Sequence, residues 1–303
     1  MEKIFFALPG NDVLAKSLAG KCHAELGKAI IRQFPDGETY IKIESDVKNK
    51  QVILICTLDH PDKKLLPLYY LSKTSKELGA KSTCIVSPYL AYMRQDKRFE
   101  PGEGITSVYF AKLISSFADS LITIDPHLHR RNSLSEIYTI PTTVIHAADL
   151  ISEWIRSNIK KPVLVGPDSE SEQWVSEVAD KAAAPFIILE KIRKGDEEVE
   201  ISVPHLEKYK DHTPVLVDDI ISTARTMIVT IGHLKKAGMK KPNCIGIHGI
   251  FANHAYSDLL TAGAEEVITC NTILHESNKI KIDEMISLSI NNMQNEINKN
   301  LKK

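Results

Sequence analysis

Nothing in this 303-residue chain is apolar for long enough to cross a bilayer. The longest runs, QVILIC at 51–56 and FIIL at 186–189, fall far short of the roughly 20 residues a spanning helix needs. The N-terminal MEKIFFALPGND breaks its short apolar run with Pro9-Gly10-Asn11-Asp12, so it does not read as a secretory leader, and a cytoplasmic protein without a membrane partner is expected. Charge of one sign is also missing: the net charge is −1, which leaves no basic surplus for nucleic acid, and no nucleic-acid partner is expected. The five cysteines (22, 56, 84, 244 and 270) form no C-x-x-C and no zinc spacing. Four of them sit in or beside apolar runs, as small buried hydrophobes do. Neither G-x-x-x-x-G-K-[ST] nor G-x-G-x-x-G occurs, which excludes a Walker phosphate loop and a dinucleotide fingerprint. A nucleotide bound here must be bound by other means.

What is present is alternation. Short apolar runs recur at 4–8, 51–56, 82–89, 120–125, 162–166, 186–190, 214–219, 244–250 and 266–270. Between them lie stretches with apolar residues at helical spacing, such as LLPLYYLSKTSKELGA at 65–80, with Gly79 as the stop. The runs are continuously apolar, which suits parallel strands covered on both faces. The pattern restarts near residue 145, and both halves end helices in Gly-Ala or Ala-Gly before a β run. The expectation is an α/β protein of two similar doubly wound parallel-sheet domains, 1–145 and 146–287, followed by a polar extension at 288–303. In that extension Ile290, Met293, Ile297 and Leu301 fall near helical spacing, either as a weak amphipathic helix docking on a neighbour or as a frayed tail.

In open parallel sheets ligands bind beyond the carboxyl ends of the strands. The segment PVLVDDIISTARTM at 214–227 places two carboxylates, Asp218 and Asp219, at such an end, then Ser222-Thr223-Ala224-Arg225-Thr226 before a helix. Small and hydroxyl residues between a strand and a helix offer backbone N–H groups and a helix N-terminus to a phosphate. The carboxylates cannot serve that phosphate, but they can accept hydrogen bonds from vicinal hydroxyls. A sugar phosphate satisfies both halves; the blander alternative is an acidic pair that only closes a strand and caps a helix. In IDPHLHR (124–130), Asp125 and His127 are two apart after a strand and are expected on one side, where they could hold a divalent cation; His129 shares the parity. Asp168 in VGPDSESE closes another strand. Such oxygen-rich surroundings suit Mg²⁺ held partly by substrate phosphates better than zinc. In EKIRK, Lys191 and Arg193 stand two apart, a clamp for a phosphoryl group if the segment is extended, or a solvated charged loop.

Taken in order, FPDGE (34–38), YMRQDKRF (92–99), TIDPHLHR (123–130), VGPDSE (165–170), EKIR (190–193) and VDDIISTART (217–226) resemble the signature segments of ribose-phosphate pyrophosphokinases. The wording is most similar to the shorter, archaeal-like members. The resemblance implies two domains of the type I phosphoribosyltransferase kind and an enzyme. That enzyme transfers the β,γ-pyrophosphoryl group of ATP to the C1 hydroxyl of ribose 5-phosphate, releasing AMP and feeding nucleotide biosynthesis. It implies ATP binding by Phe34, Asp36, Gly37, Glu38, Arg94 and Gln95, with Phe34 stacked on adenine. It implies Mg²⁺ as cofactor at His127 and Asp168, and Lys191 and Arg193 as the catalytic pair. Ribose 5-phosphate would be held by Arg193, Asp218, Asp219, Ser222, Thr223, Ala224, Arg225 and Thr226. It further implies a homo-oligomer, at least a dimer, because the first loop often serves a neighbouring subunit. Two departures stand out: Ala224-Arg225 occupies a loop centre that is commonly small or Gly, and Glu170 and Glu172 add charge where many members are Gly-rich. The alternatives are a phosphoribosyltransferase, which would have no use for FPDGE or MRQDKRF, and a catalytically silent regulatory paralogue.

Overall fold

The computed structural model describes the backbone of residues 1–166, 171–194, 198–202 and 206–300; the side chains of 190–206 and 294–300 lie outside the described residues. Two compact units emerge, Met1–Ile145 together with Asp283–Lys303, and His146–Ile282.

In the first unit the apolar runs become β1 (Lys3–Ala7), β5 (Gln51–Ile55), β6 (Ser82–Ser87) and β7 (Ser120–Ile124), joined at the two edges by the short strands β2 (Glu25–Leu26) and β8 (Thr142–Ile145). All neighbours pair in parallel, in the order β2-β1-β5-β6-β7-β8. Strands β5 and β7 are buried along their whole length, which is why they read as unbroken apolar runs. Helices α1 (Asp12–Lys21), α2 (Pro61–Glu77) and α3 (Thr106–Ser115) supply the crossovers. Between β2 and β5 the chain inserts a two-stranded antiparallel ribbon, β3 (Ala29–Gln33) and β4 (Thr39–Ile43).

The second unit repeats this plan. Strands β9 (Pro162–Gly166), β10 (Phe186–Ile188), β13 (Thr213–Ile221), β14 (Asn243–Gly249), β15 (Glu266–Cys270) and β16 (Asn278–Ile280) form a parallel sheet in the order β10-β9-β13-β14-β15-β16. Helices α4 (Ala148–Asn158), α5 (Glu172–Ala182), α6 (Arg225–Lys236) and α7 (Ala255–Ala262) belong to this unit. A ribbon of β11 (Glu190–Lys194) and β12 (Glu198–Ser202) is inserted before β13. The doubly wound fold expected from the alternation is thus present twice, with the same strand order and an inserted ribbon at the same point. Gly166 closes β9 because nothing larger fits: a Cβ there would lie 2.7 Å from Ile188 Cδ1 and 2.9 Å from a Val175 methyl.

The last helix, α8 (Asp283–Asn300), packs against α1, β7 and β8 of the first unit. Ile286, Ile290 and Met293 are buried, while Lys21 pairs with Glu284 at 2.5 Å and Ser17 donates to Asp283. The helical spacing read at 290 and 293 therefore docks on the chain's own first unit and not on a neighbour. Ile297 and Leu301 lie outside the described residues.

Candidate functional site

In the first unit, FPDGE forms the tip of the β3–β4 ribbon. Phe34 N–H donates to the Glu38 carbonyl at 2.8 Å and Gly37 N–H to the Phe34 carbonyl at 2.9 Å. This is a three-residue hairpin loop, Pro35-Asp36-Gly37, in which proline pre-sets the first turn position and glycine takes the left-handed one. Gly37 has φ +93°, so its place in the motif is accounted for by the turn itself. The Asp36 carboxylate accepts the Glu38 N–H at 3.2 Å. Phe34, Asp36 and Glu38 are all exposed, and the Phe34 ring rests edge-on to Tyr40 at 5.7 Å with the Arg32 guanidinium 4.7 Å from its centroid. The tip thus presents an aromatic face beside two carboxylates.

Two further segments leave the carboxyl ends of adjacent strands. Residues 88–99 follow β6 and residues 125–131 follow β7. Arg94 is exposed and Gln95 half-buried, with Gln95 N–H on the Tyr92 carbonyl at 3.2 Å. Strand β7 ends at Ile124, and Asp125 and His127 then take left-handed backbone at φ 31° and 55°. His127 N–H reaches the Asp125 carbonyl at 2.9 Å across Pro126. The alternation that sets Asp125 and His127 on one side therefore fails, because the backbone is no longer extended where it is applied. The residues brought together are His127 and His129, whose ring centroids are 4.1 Å apart, each half-buried. Non-glycine residues in left-handed backbone cost on the order of 1–3 kcal/mol and persist only where their surroundings hold them.

What holds them was not legible in the sequence. Asp96, with a side chain only 3% exposed, accepts Arg130 Nη1 on both carboxylate oxygens at 3.3 and 3.4 Å. Arg131 Nη2 donates to the Asp96 carbonyl at 3.3 Å, and Arg131 also pairs with Glu136. The segments carrying Arg94-Gln95 and His127-His129 are therefore joined through one buried acid.

In the second unit, β13 runs past both carboxylates to Ile221, so Asp218 and Asp219 lie within the strand and not after it. As consecutive strand residues they start on opposite faces, and both are half-buried. Asp219 N–H donates to Asp218 Oδ1 at 2.9 Å. Helix α6 then starts at Arg225, with Ala224 as its left-handed N-cap (φ 56°), no side-chain cap and no acidic residue in its first turn. Its first N–H groups are left for another acceptor. Among the described residues, no partner is found for the side chains of Ser222, Thr223, Arg225 or Thr226, while the Thr226 carbonyl accepts the Thr230 hydroxyl at 2.8 Å. The loop backbone is anchored from behind, Ala252 N–H on the Ser222 carbonyl at 3.1 Å and Ile250 N–H on the Ile221 carbonyl at 3.0 Å. The result is an uncapped helix N-terminus ringed by hydroxyls and one exposed guanidinium, chemistry that receives a phosphate.

Lys191 and Arg193 occupy alternate positions of β11, paired in register with Ile201 and Val199 of β12. Their side chains, and Asp168 altogether, lie outside the described residues. Three buried cysteines add no reactivity: burial pushes the Cys56 and Cys244 thiols up to about 12 and the Cys84 thiol up to about 11.

Comparison with known proteins decides among these chemistries. Residues 3–117 match the family described as the N-terminal domain of ribose phosphate pyrophosphokinase, and residues 133–287 match the phosphoribosyl transferase domain. The ribose-phosphate pyrophosphokinase of Methanobrevibacter smithii is 30% identical over 286 residues, covering 90% of this chain and 95% of its own. That of Methanothermobacter thermautotrophicus is 31% identical over 278 residues, covering 91% and 96%. The chain belongs to the ribose-phosphate pyrophosphokinase family. Its fold agrees with that membership: the crystal structure of phosphoribosylpyrophosphate synthetase from Mycobacterium smegmatis superposes with a TM-score of 0.85 at 22% identity, over 98% of this chain and 100% of that one. No helix among the described residues is long and apolar enough to cross a membrane.

Proposed function

We propose that the protein is a ribose-phosphate diphosphokinase, making phosphoribosyl pyrophosphate and AMP from ATP and ribose 5-phosphate. The observation that carries this reading is the pairing in one chain of the family's N-terminal domain with an uncapped, hydroxyl-lined loop at 222–226. A phosphoribosyltransferase has no need of the first unit's hairpin tip and Arg94-Gln95 segment. In the first unit, Phe34 takes one face of the adenine, Asp36 and Glu38 accept from its edge, and Arg94 and Gln95 hold the polyphosphate side of ATP. In the second, the N–H groups of α6 with Ser222, Thr223, Arg225 and Thr226 hold the 5-phosphate, with Ala224 turning the backbone toward it. Asp218 and Asp219 accept from the ribose hydroxyls, which orients the C1 hydroxyl for in-line attack on the β-phosphorus. Lys191 and Arg193 on β11 neutralise charge as it spreads over the phosphoryl oxygens in the transition state, Arg193 also reaching the ribose 5-phosphate.

A divalent ion fits this donor set in one way. Two imidazoles alone favour softer metals, whereas Mg²⁺ takes oxygen and keeps few protein ligands. By the family resemblance, His127 and Asp168 would each supply a donor to Mg²⁺, with most of its remaining ligands being substrate oxygens. When bound it supplies charge neutralisation on the phosphate oxygens. The exposed ribbon tip, whose Phe34 ring rests against Arg32 and Tyr40, supports a homo-oligomer in which the tip serves a neighbouring copy. The cytoplasm is the compartment in which these substrates are met. The test is AMP release with ATP, ribose 5-phosphate and Mg²⁺. AMP formation should depend on ribose 5-phosphate; its absence would assign the chain to a catalytically silent relative.

A further inference from the structure

We infer that Asp96 is a positioning residue: its buried carboxylate clamps the loop bearing His127 and His129 to the segment bearing Arg94 and Gln95, and so sets how ATP is bound. The inference rests on the assignment of Arg94 and Gln95 to ATP made above. Neither segment belongs to a helix or a strand. Backbone bonds to the neighbouring strands' continuations stop at Tyr89 in one, whose carbonyl accepts Leu58 N–H at 3.0 Å, and at Asp125 in the other, whose N–H donates to the Ile145 carbonyl at 3.0 Å. Three left-handed non-glycine residues, Tyr92, Asp125 and His127, occur in the two of them. Such backbone needs outside restraint. Asp96 joins the two segments, accepting Arg130 on both carboxylate oxygens and Arg131 on its carbonyl, and the Arg130 guanidinium also lies 5.6 Å from the centroid of the Phe99 ring.

A buried carboxylate is a poor way to gain stability, since desolvation offsets much of the attraction and an apolar residue would pack as well. What an ion pair adds at a seam between two irregular segments is register. Asp96 directly follows Gln95, and Arg130 directly follows His129, so the pair transmits position between the nucleotide and metal groups over a single residue on each side. Ser107 N–H on the Gln95 carbonyl at 3.3 Å ties the same segment back to α3, which makes Asp96 the free-loop end of an anchored strap.

The test uses the full-length protein and the isosteric Asp96→Asn, with Arg130→Met as a second variant whose side chain is 29% exposed in the native protein. Calorimetry gives the ATP dissociation constant, steady-state kinetics give kcat and both KM values, and thermal unfolding monitors the fold. Both variants should weaken ATP binding about tenfold and lower kcat by roughly 10–100-fold, the loss expected when reacting groups are misplaced by about an ångström. KM for ribose 5-phosphate should move less than about twofold, and the double variant should be no worse than the poorer single one, because the two act through one pair. If Asp96→Asn does not fold, Arg130→Met decides. Unchanged ATP affinity and kcat in the folded variants, with or without a lowered unfolding temperature, would reduce Asp96 to a structural residue. Arg94→Ala separates this result from failure of the underlying assignment. If Arg94→Ala loses ATP while the Asp96 and Arg130 variants keep it, only the clamp is refuted; if Arg94→Ala also keeps it, the assignment falls and the clamp with it.

Discussion

The two units share one strand order and one inserted ribbon, yet they treat the crevice at the strand-order reversal in opposite ways. In the first unit it lies between β1 and β5, and its polar groups are used up internally. Asn11 Oδ1 accepts the Thr57 N–H at 2.9 Å, and Asn11 Nδ2 donates to the Leu8 and Pro9 carbonyls at 3.2 and 3.3 Å. Lys64 donates to the Thr57 carbonyl at 2.9 Å and pairs with Asp59. Helix α2 opens with Pro61 and carries its own anion, Asp62, in the first turn, where it accepts the Tyr92 hydroxyl and pushes that phenol up to about 12. In the second unit α6 opens with no acid and with an exposed Arg225. The same architecture carries an acid in the first helical turn once and none there once. A fold of this kind is thus a permissive frame, and the residues of one helical turn decide whether it binds.

The ribbons offer the sharpest way to break the comparison. Both occupy the same place in the topology, but the first presents an aromatic ring and carboxylates, whereas the sequence of β11 carries Lys191 and Arg193. Lys191→Ala should lower kcat by about 10²–10³ with little change in either KM, the loss typical of a transition-state donor. Phe34→Ala in the other ribbon should do the reverse, raising KM for ATP by about tenfold or more for a lost base stack while kcat falls little. Steady-state kinetics on the two variants checks this, and a near-normal kcat for Lys191→Ala would remove the clamp from the mechanism.

The crevices can be compared directly as well. Asp218→Ala should raise KM for ribose 5-phosphate about tenfold, as expected when a hydrogen bond to a charged group worth about 1.5–3 kcal/mol is lost. Lys64→Met, the matching perturbation in the first unit, should leave that KM alone and lower stability by about 1–3 kcal/mol, because the Thr57 carbonyl and Asp59 Oδ1 both lose the ammonium. Substrate titrations and denaturant melts on the same preparations separate the two effects. An unchanged KM in Asp218→Ala would argue against the diol assignment.

The parallel core was legible because burial on both faces leaves an unbroken apolar run, and nine such runs become β1, β5, β6, β7, β9, β10, β13, β14 and β15. The ribbons were not legible as strands: β3 is partly exposed along AIIRQ and β11 is the charged EKIRK, so neither shows that signal. Local pattern set Asp125 and His127 on one side, which fails because parity requires extended backbone and β7 ends one residue before Asp125; His129, which shares that parity, is the residue whose ring lies beside His127. It singled out Arg94 and Gln95 as expected nucleotide residues and passed over Asp96, whose partner lies 34 residues away. The docking of α8 was out of reach for the same reason, since Ser17 and Asp283 are 266 residues apart. Side chains named by local sequence were readable; their pairing across loops was not.

The smallest effect expected concerns the loop centre. Ala224 holds φ 56° at the N-cap of α6, a conformation that disfavours any residue with a Cβ. Ala224→Gly removes that penalty, on the order of 1–2 kcal/mol, but adds about 0.5–1 kcal/mol of backbone entropy to the unfolded chain. The net should be stabilisation of at most about 1 kcal/mol, read as a small rise in the unfolding midpoint. A left-handed glycine in the first unit's ribbon tip offers the reverse change: Gly37 has φ +93° and open space around it, so Gly37→Ala meets no clash and should lose stability by about the same amount through conformation alone. If Ala224→Gly instead destabilises the protein while improving ribose 5-phosphate binding, the methyl group is packing against Met227 and its neighbours in the second core cluster, where Ala224 is 9% exposed. Its retention would then trade backbone approach to the phosphate for a firmer start to α6, with Arg225 restoring part of the attraction that a closer backbone would have provided.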